Sequence, residues 1–159
     1  MDSERLPAKV EVFAGLEEGE LRELMEIGFR EEHDQGGKIF SEGQWAEDFF
    51  VVIEGRVDLR FELSTKAVWE EATVSAILPG GSFGWSALTP PYRYTLSAYS
   101  VERECRLLRF KSRDLINLFE QAPRLGYIFM RNVARVIGRR FNDLEDQMLR
   151  REVGIPIRI

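Results

Sequence analysis

The chain has 159 residues, of which 44% are hydrophobic and 31% charged, and its formal net charge is −5. A chain of this length can bury one good hydrophobic core but would struggle to hold two, so residues 1–159 are predicted to form a single domain. The acidic balance gives nucleic-acid phosphates no general attraction, which argues against direct DNA binding by this chain.

Cysteine usage and hydropathy indicate the compartment. Cys105 is the only cysteine, so neither an intrachain disulfide nor a thiolate metal cluster can form. Free cysteine is among the most buried residue types, and we interpret Cys105 as a buried strand residue. No apolar run approaches the roughly 20 residues of a membrane span, and the first residues lack the pattern of a signal peptide. These features predict a cytoplasmic protein that does not contact a membrane.

The N-terminal segment, residues 1–28, is predicted to be helical. Between Leu16 and Gly28 the apolar residues share one face at spacings of three and four, glutamates occupy the other face, and Gly28 ends the helix. From Phe29 to Phe110 the pattern changes to a β-roll of short strands bounded by Gly, Pro, Ser or Asp. Strands are expected at 38–40, 48–53, 56–63, 71–78, 93–101 and 106–110, with a hairpin tip at 64–67.

After Phe110 the period becomes helical, and residues 112–152 are predicted to form two helices before a tail at 153–159. Ser112 suits the start of the first helix, Pro123 marks a second start, and no proline interrupts the pattern from Leu125 to Arg151. The second helix is therefore long.

This long helix carries an apolar stripe that exceeds what a small roll can cover. Its first half is expected to pack on the roll, and its second half is expected to pair with the same helix of a second copy in a homodimer. The predicted interface residues are Phe129, Val133, Val136, Ile137, Phe141, Leu144 and Met148.

Two glycine-containing stretches carry a resemblance to a known family. They read Asp48-Phe-Phe-Val-Val-Ile-Glu-Gly55 and Ser82-Phe83-Gly84-Trp85-Ser86-Ala87-Leu88. With the terminal helix, they resemble the cyclic nucleotide-binding domain of catabolite-activator-type regulators, cyclic-nucleotide-dependent kinases and cyclic-nucleotide-gated channels. The resemblance implies a mainly β fold with flanking helices: a jelly-roll-like double-stranded β-helix followed by a long C-terminal helix.

In that family the last glycine-rich turn is the phosphate cassette. It typically reads Phe-Gly-Glu, and an Arg follows the Glu about ten residues later; the Glu binds the ribose hydroxyl and the Arg the phosphate. Here the frame is kept, but Trp85 replaces the Glu. An ungapped alignment on residues 95–98 puts Tyr92 at the Arg position, whereas a one-residue deletion in the preceding turn would bring Arg93 into the pocket.

The resemblance also places Arg140 and Phe141 about where the family contacts the purine. Phe141 could stack on a base there, and packing in the core or in a dimer is the alternative. The candidate ligand-binding residues are Phe83, Gly84, Trp85, Ser86, Ala87, Arg93, Thr95, Arg140 and Phe141.

Two function classes remain open, both non-enzymatic. The first is a regulatory module that binds a cyclic nucleotide or a related small anionic ligand and signals through its C-terminal helix to an unknown downstream protein. The second is a degenerate, ligand-free domain that serves in dimerisation or protein interaction. No resident cofactor is expected, and His33, the only histidine, cannot supply the two or three that a metal enzyme of related β-helix architecture needs.

Overall fold

The computed structural model describes residues 6–7, 9–62 and 73–153, so the predicted hairpin tip at 64–67 lies outside the described residues. The strands are β1 (Gly28–Asp34), β2 (Lys38–Phe40), β3 (Asp48–Glu54), β4 (Val57–Arg60), β5 (Thr73–Ile77), β6 (Ser82–Phe83), β7 (Ser97–Ser100) and β8 (Glu104–Lys111). The helices are α1 (Glu18–Glu26), α2 (Ser112–Gln121) and α3 (Pro123–Val153), with 3₁₀ turns at Glu11–Phe13 and Trp85–Leu88.

The strands form two antiparallel sheets of four strands each. The first has the order β1-β8-β3-β6 and the second the order β2-β7-β4-β5. Buried residues from both sheets, including Phe50, Leu59 and Ala98, form one cluster, so the sheets pack face to face. This architecture, with its long C-terminal helix, confirms the predicted β-roll with flanking helices.

Strand β3 shows why its sequence is a continuous apolar run. Alternate side chains of a strand point to opposite faces, and here both faces are buried. Phe50 and Val52 point into the core between the sheets, whereas Phe49 and Val51 point into a second core under the helices.

The second core fixes the first half of α3 on the roll. Phe129 is fully buried, and its ring lies 5.5 Å from that of Phe49 and 5.1 Å from that of Phe119. The buried amide of Asn132 donates hydrogen bonds to the carbonyl oxygens of Val12 at 3.1 Å and Ala14 at 2.8 Å. The expected packing of this half against the roll is therefore observed.

Three strands differ most from the sequence-based prediction, and one of them is the two-residue β6, which no predicted strand covers. β1 was not predicted because its charged residues hide the pattern, yet it pairs along its whole length with β8. The strand expected at 93–101 is observed only as Ser97–Ser100. Before it, Tyr92 adopts a positive φ of 56° and Arg93 forms an isolated bridge with Trp45, so the chain does not continue the strand there. Among the described residues, no helix is long and apolar enough to span a bilayer.

Cys105 occupies β8 and is 1% exposed, which confirms its interpretation as a buried strand residue. Burial, with a smaller effect of the Glu102 charge, raises the pKa of the thiol from 9.0 to about 11. Because the thiolate is the reactive form, native Cys105 should react with Ellman's reagent at least about a hundredfold more slowly near pH 8 than the chain unfolded in guanidinium chloride. Equal rates in the two states would contradict this placement.

Candidate ligand-binding site

The glycine-rich turn that follows β6 needs a glycine at position 84. Gly84 has a φ of +85°, and a Cβ there would lie 2.9 Å from the carbonyl oxygen of Asp48. Any other residue at position 84 would therefore strain the backbone and clash with Asp48. The chain then forms the 3₁₀ turn Trp85–Leu88, in which the N–H of Ala87 donates to the carbonyl of Gly84 at 3.1 Å.

A cavity of about 550 Å³ separates this turn and the second sheet from the second half of α3. Its volume lies within the range typical of small-molecule sites. Apolar side chains predominate among the described lining residues. These are Leu59, Phe61, Val74, Ser75, Ala76, Trp85, Thr95, Leu96, Ile137, Arg140, Phe141, Asp143, Leu144 and Gln147.

The structure brings four predicted site residues together around this cavity: Trp85, Thr95, Arg140 and Phe141. Ser86 and Gly84 line only a smaller cavity of about 30 Å³ under the turn. Phe83 and Ala87 are buried between the sheets, so they support the turn and do not line either cavity.

The prediction that Arg93 faces the pocket is wrong. Its guanidinium lies 3.7 Å from the centre of the Trp45 ring, and its Nη1 donates to the carbonyl of Gly43 at 2.9 Å. The bridge between Trp45 and Arg93 holds the side chain at the surface. Tyr92, the alternative counterpart, does not line the cavity either.

Thr95, ten residues after Trp85, lines both cavities. The preceding residue, Tyr94, lines the smaller cavity, and nothing in the sequence indicated this role. The Tyr94 ring stacks on Phe40 at 3.6 Å, and its hydroxyl donates to the carbonyl of Asp48 at 2.8 Å. The cavity thus has the indole of Trp85 where the family's pattern has a Glu, and neither Tyr92 nor Arg93, the two candidates for the family's Arg, lines it.

Arg140 is the one cation among the described lining residues. This half-buried side chain donates from Nη2 to the carbonyl of Ser82, which ties α3 to the strand that precedes the turn. Burial lowers the pKa of the Arg140 guanidinium to about 10; the charge of Glu11 opposes that shift and the charge of Arg139 adds to it. In the described part of the chain, no carboxylate forms a salt bridge with Arg140.

The predicted dimer interface divides along α3. Phe129, Val133 and Val136 are at most 5% exposed in the core of this chain, so they are not available to a second copy, and that part of the prediction is wrong. Ile137 and Leu144 line the cavity. Phe141 and Met148 are more than half exposed.

His33 lies on the edge strand β1, where Nε2 is 2.9 Å from Oε1 of Glu31. Among the described residues, no group of three or more His, Cys, Asp or Glu side chains is placed to hold a metal ion.

The comparisons with known proteins agree with this fold. The family model for the cyclic nucleotide-binding domain matches residues 30–122, and the chain belongs to that family. Membership implies a regulatory sensor role. No curated protein sequence matches the chain.

Solved structures share the architecture. A protein from Geobacter metallireducens GS-15, provisionally assigned as a cyclic nucleotide-binding protein, is 29% identical with a TM-score of 0.69, over 82% of this chain and 91% of that one. The N-terminal domain of a transcriptional regulator from Streptomyces coelicolor A3(2) is 25% identical with a TM-score of 0.67, over 87% and 91%. The Thermus thermophilus catabolite activator protein is 27% identical with a TM-score of 0.71, over 87% of this chain but only 62% of that one.

Proposed function

We propose that the chain is a non-enzymatic regulatory module that binds a cyclic nucleotide or a related small anionic ligand between the roll and α3. The observation that carries the proposal is the cavity of about 550 Å³, which the turn, β4, β5 and α3 line together. The lone free cysteine suits a reducing compartment, so we place the module in the cytoplasm.

Binding in this cavity would act on α3. A ligand would touch the roll at Trp85 and Thr95 and the helix at Arg140 and Phe141. Its affinity would therefore depend on the position of the helix, and a ligand that binds two states unequally shifts the equilibrium between them. Through this shift the module would signal to a downstream protein.

Cyclic AMP itself is expected to bind weakly or not at all. Trp85 cannot accept the ribose hydrogen bond that a carboxylate would accept, and Thr95 supplies no charge for the phosphate. Trp85 and Thr95 therefore favour a related small anionic ligand over cyclic AMP.

Calorimetric titration and thermal shift with cyclic AMP, cyclic GMP and cyclic dinucleotides test the proposal. A ligand at about 100 times its dissociation constant should stabilise the fold by about 2.7 kcal/mol. Ala76→Trp should abolish that shift, because Ala76 is exposed and lines the cavity. Ala134→Trp is the matched control, since Ala134 is exposed on α3 outside the cavity. A shift that survives in Ala76→Trp would place the ligand elsewhere.

A ligand-free dimerisation module is the second candidate function. The observation that favours it is the apolar surface on the second half of α3, where Phe141, Met148 and Leu149 are 58%, 56% and 58% exposed. Exposed apolar groups of this kind mark interaction surfaces.

The double variant Phe141→Glu with Met148→Glu should convert a homodimer to a monomer. The two residues lie seven positions apart on one face of α3, and each glutamate would place an unpaired charge in the seam. Light scattering should show the mass fall from two chains to one. Tyr127→Glu, at a 66% exposed aromatic residue on the same helix, should leave the dimer intact. An unchanged mass in the double variant would exclude this interface.

A further inference from the structure

The walls of the cavity differ from those that a nucleotide needs. Leu59, Val74 and Ala76 form the side of the roll, and Ile137, Phe141 and Leu144 form the side of α3. A ribose or a purine edge laid against these six apolar side chains would lose hydrogen bonds to water that these side chains cannot replace. An aliphatic or aromatic body fits them without that cost.

The space under the turn also disfavours a phosphate. The cavity there measures about 30 Å³, which is room for little more than a water molecule. Tyr94 and Phe40 stack beneath it, and Tyr94 is fixed by hydrogen bonds with both the N–H and the carbonyl of Asp48. The anionic group of a ligand must therefore seek its partner elsewhere.

Arg140 is that partner among the described lining residues. A guanidinium carries five N–H donors, and the hydrogen bond to the Ser82 carbonyl uses one of them. Two of the remaining donors match the two oxygens of a carboxylate in a bidentate pair. Burial works against the charge of Arg140, and an anion beside it would offset that effect.

Asp143 limits the charge that the ligand can carry. It lines the same cavity three residues after Arg140, so the two lie on neighbouring positions of one helix face. A dianion would meet one cation and one carboxylate, whereas a monoanion pairs with Arg140 alone. Thr95, Ser75 and Gln147 add only neutral hydrogen-bonding groups.

We propose that the ligand of this cavity is a monocarboxylate with an aromatic or aliphatic body, whose carboxylate pairs with Arg140 and whose body lies between β4, β5 and α3. This inference rests on the proposed function, because it names the ligand class of the same site. It departs from the cyclic nucleotide that the family pattern implies.

Calorimetry on the full chain with matched acids and amides tests the inference. The probes are 1-naphthaleneacetate and 3-phenylpropanoate, their primary amides, and cyclic AMP. At least one acid should bind about tenfold or more tightly than its amide and more tightly than cyclic AMP. Arg140→Gln should remove this preference, and Arg139→Gln, at an exposed arginine that pairs with Glu11, should keep it.

Three other outcomes would count against the ligand class, against the pairing with Arg140, or against the proposed function as well. Cyclic AMP that binds more tightly than both acids, and that Ala76→Trp excludes, would overturn the carboxylate class and leave the proposed function standing. Equal affinity of acid and amide would overturn the pairing with Arg140. No binding of any probe at millimolar concentration would overturn both the inference and the proposed function. Should Arg140→Gln fail to fold, the comparison of acid and amide on the unaltered chain decides alone.

Discussion

Replacing Trp85 by Glu together with Thr95 by Arg should raise the affinity for cyclic AMP about a hundredfold or more. The two residues line the same cavity, so the new carboxylate and guanidinium would face one ligand. Hydrogen bonds to charged groups contribute about 1.5–3 kcal/mol each, and two of them amount to at least two powers of ten in affinity. Calorimetric titration at fixed ionic strength measures the change.

Two controls test whether the gain in affinity comes from the charges and from their position in the cavity. Trp85→Gln with Thr95→Gln changes the shapes without the charges and should gain far less. Tyr92→Arg should gain nothing, because Tyr92 lies outside the cavity. A submicromolar dissociation constant for cyclic AMP in the unaltered chain would contradict our interpretation of the turn. A larger gain from Tyr92→Arg than from Thr95→Arg would contradict the placement of Thr95 inside the cavity and Tyr92 outside it.

Phe129→Ala should destabilise the fold by about 3–5 kcal/mol, a large part of the roughly 5–15 kcal/mol that keeps a domain folded. The side chain is fully buried between α3 and the first sheet, and its truncation leaves a cavity beside Phe49 and Phe119. Chemical denaturation followed by circular dichroism measures the free energy of unfolding.

Tyr127→Ala is the matched control on the same helix. Tyr127 is 66% exposed, and substitutions at such sites usually change stability by about 0.5 kcal/mol or less. Equal losses in the two variants would show that the first half of α3 is not anchored in the core as the structure describes.

The fold could be predicted from the sequence because its signals are local. The apolar run of β3 and the glycines between strands each report on their own surroundings, and the structure places a left-handed residue at Gly55 and at Gly84. β1 gave no such signal. Its charged side chains are held across the sheet instead, as in the ion pair between Glu31 and Arg109 at 3.0 Å.

The candidate site could be predicted only in part, because its geometry depends on distant contacts. The frame of the turn is readable from Phe83 to Ala87, whereas the side on which Arg93 lies depends on its bridge with Trp45, nearly fifty residues earlier in the chain. The cavity exists because the second half of α3 faces β4 and β5. No periodicity in the sequence determines how far α3 lies from β4 and β5.

Helical periodicity likewise could not divide the apolar stripe of α3. Val133 and Phe141 fit the same pattern, yet the first is 4% exposed and the second 58%. Val133 belongs to the core under the helices, whereas Phe141 lies further along α3, beyond the residues of that core.

Hydrogen exchange along α3 tests the coupling between cavity and helix most directly. The amides of residues 139–150 and of residues 84–88 should be compared with and without saturating 1-naphthaleneacetate, or cyclic AMP if it binds more tightly. Because exchange reports local opening, a ligand held between the roll and Arg140 should slow exchange in both segments. Protection confined to residues 84–88, with the helix unchanged, would contradict signalling through α3.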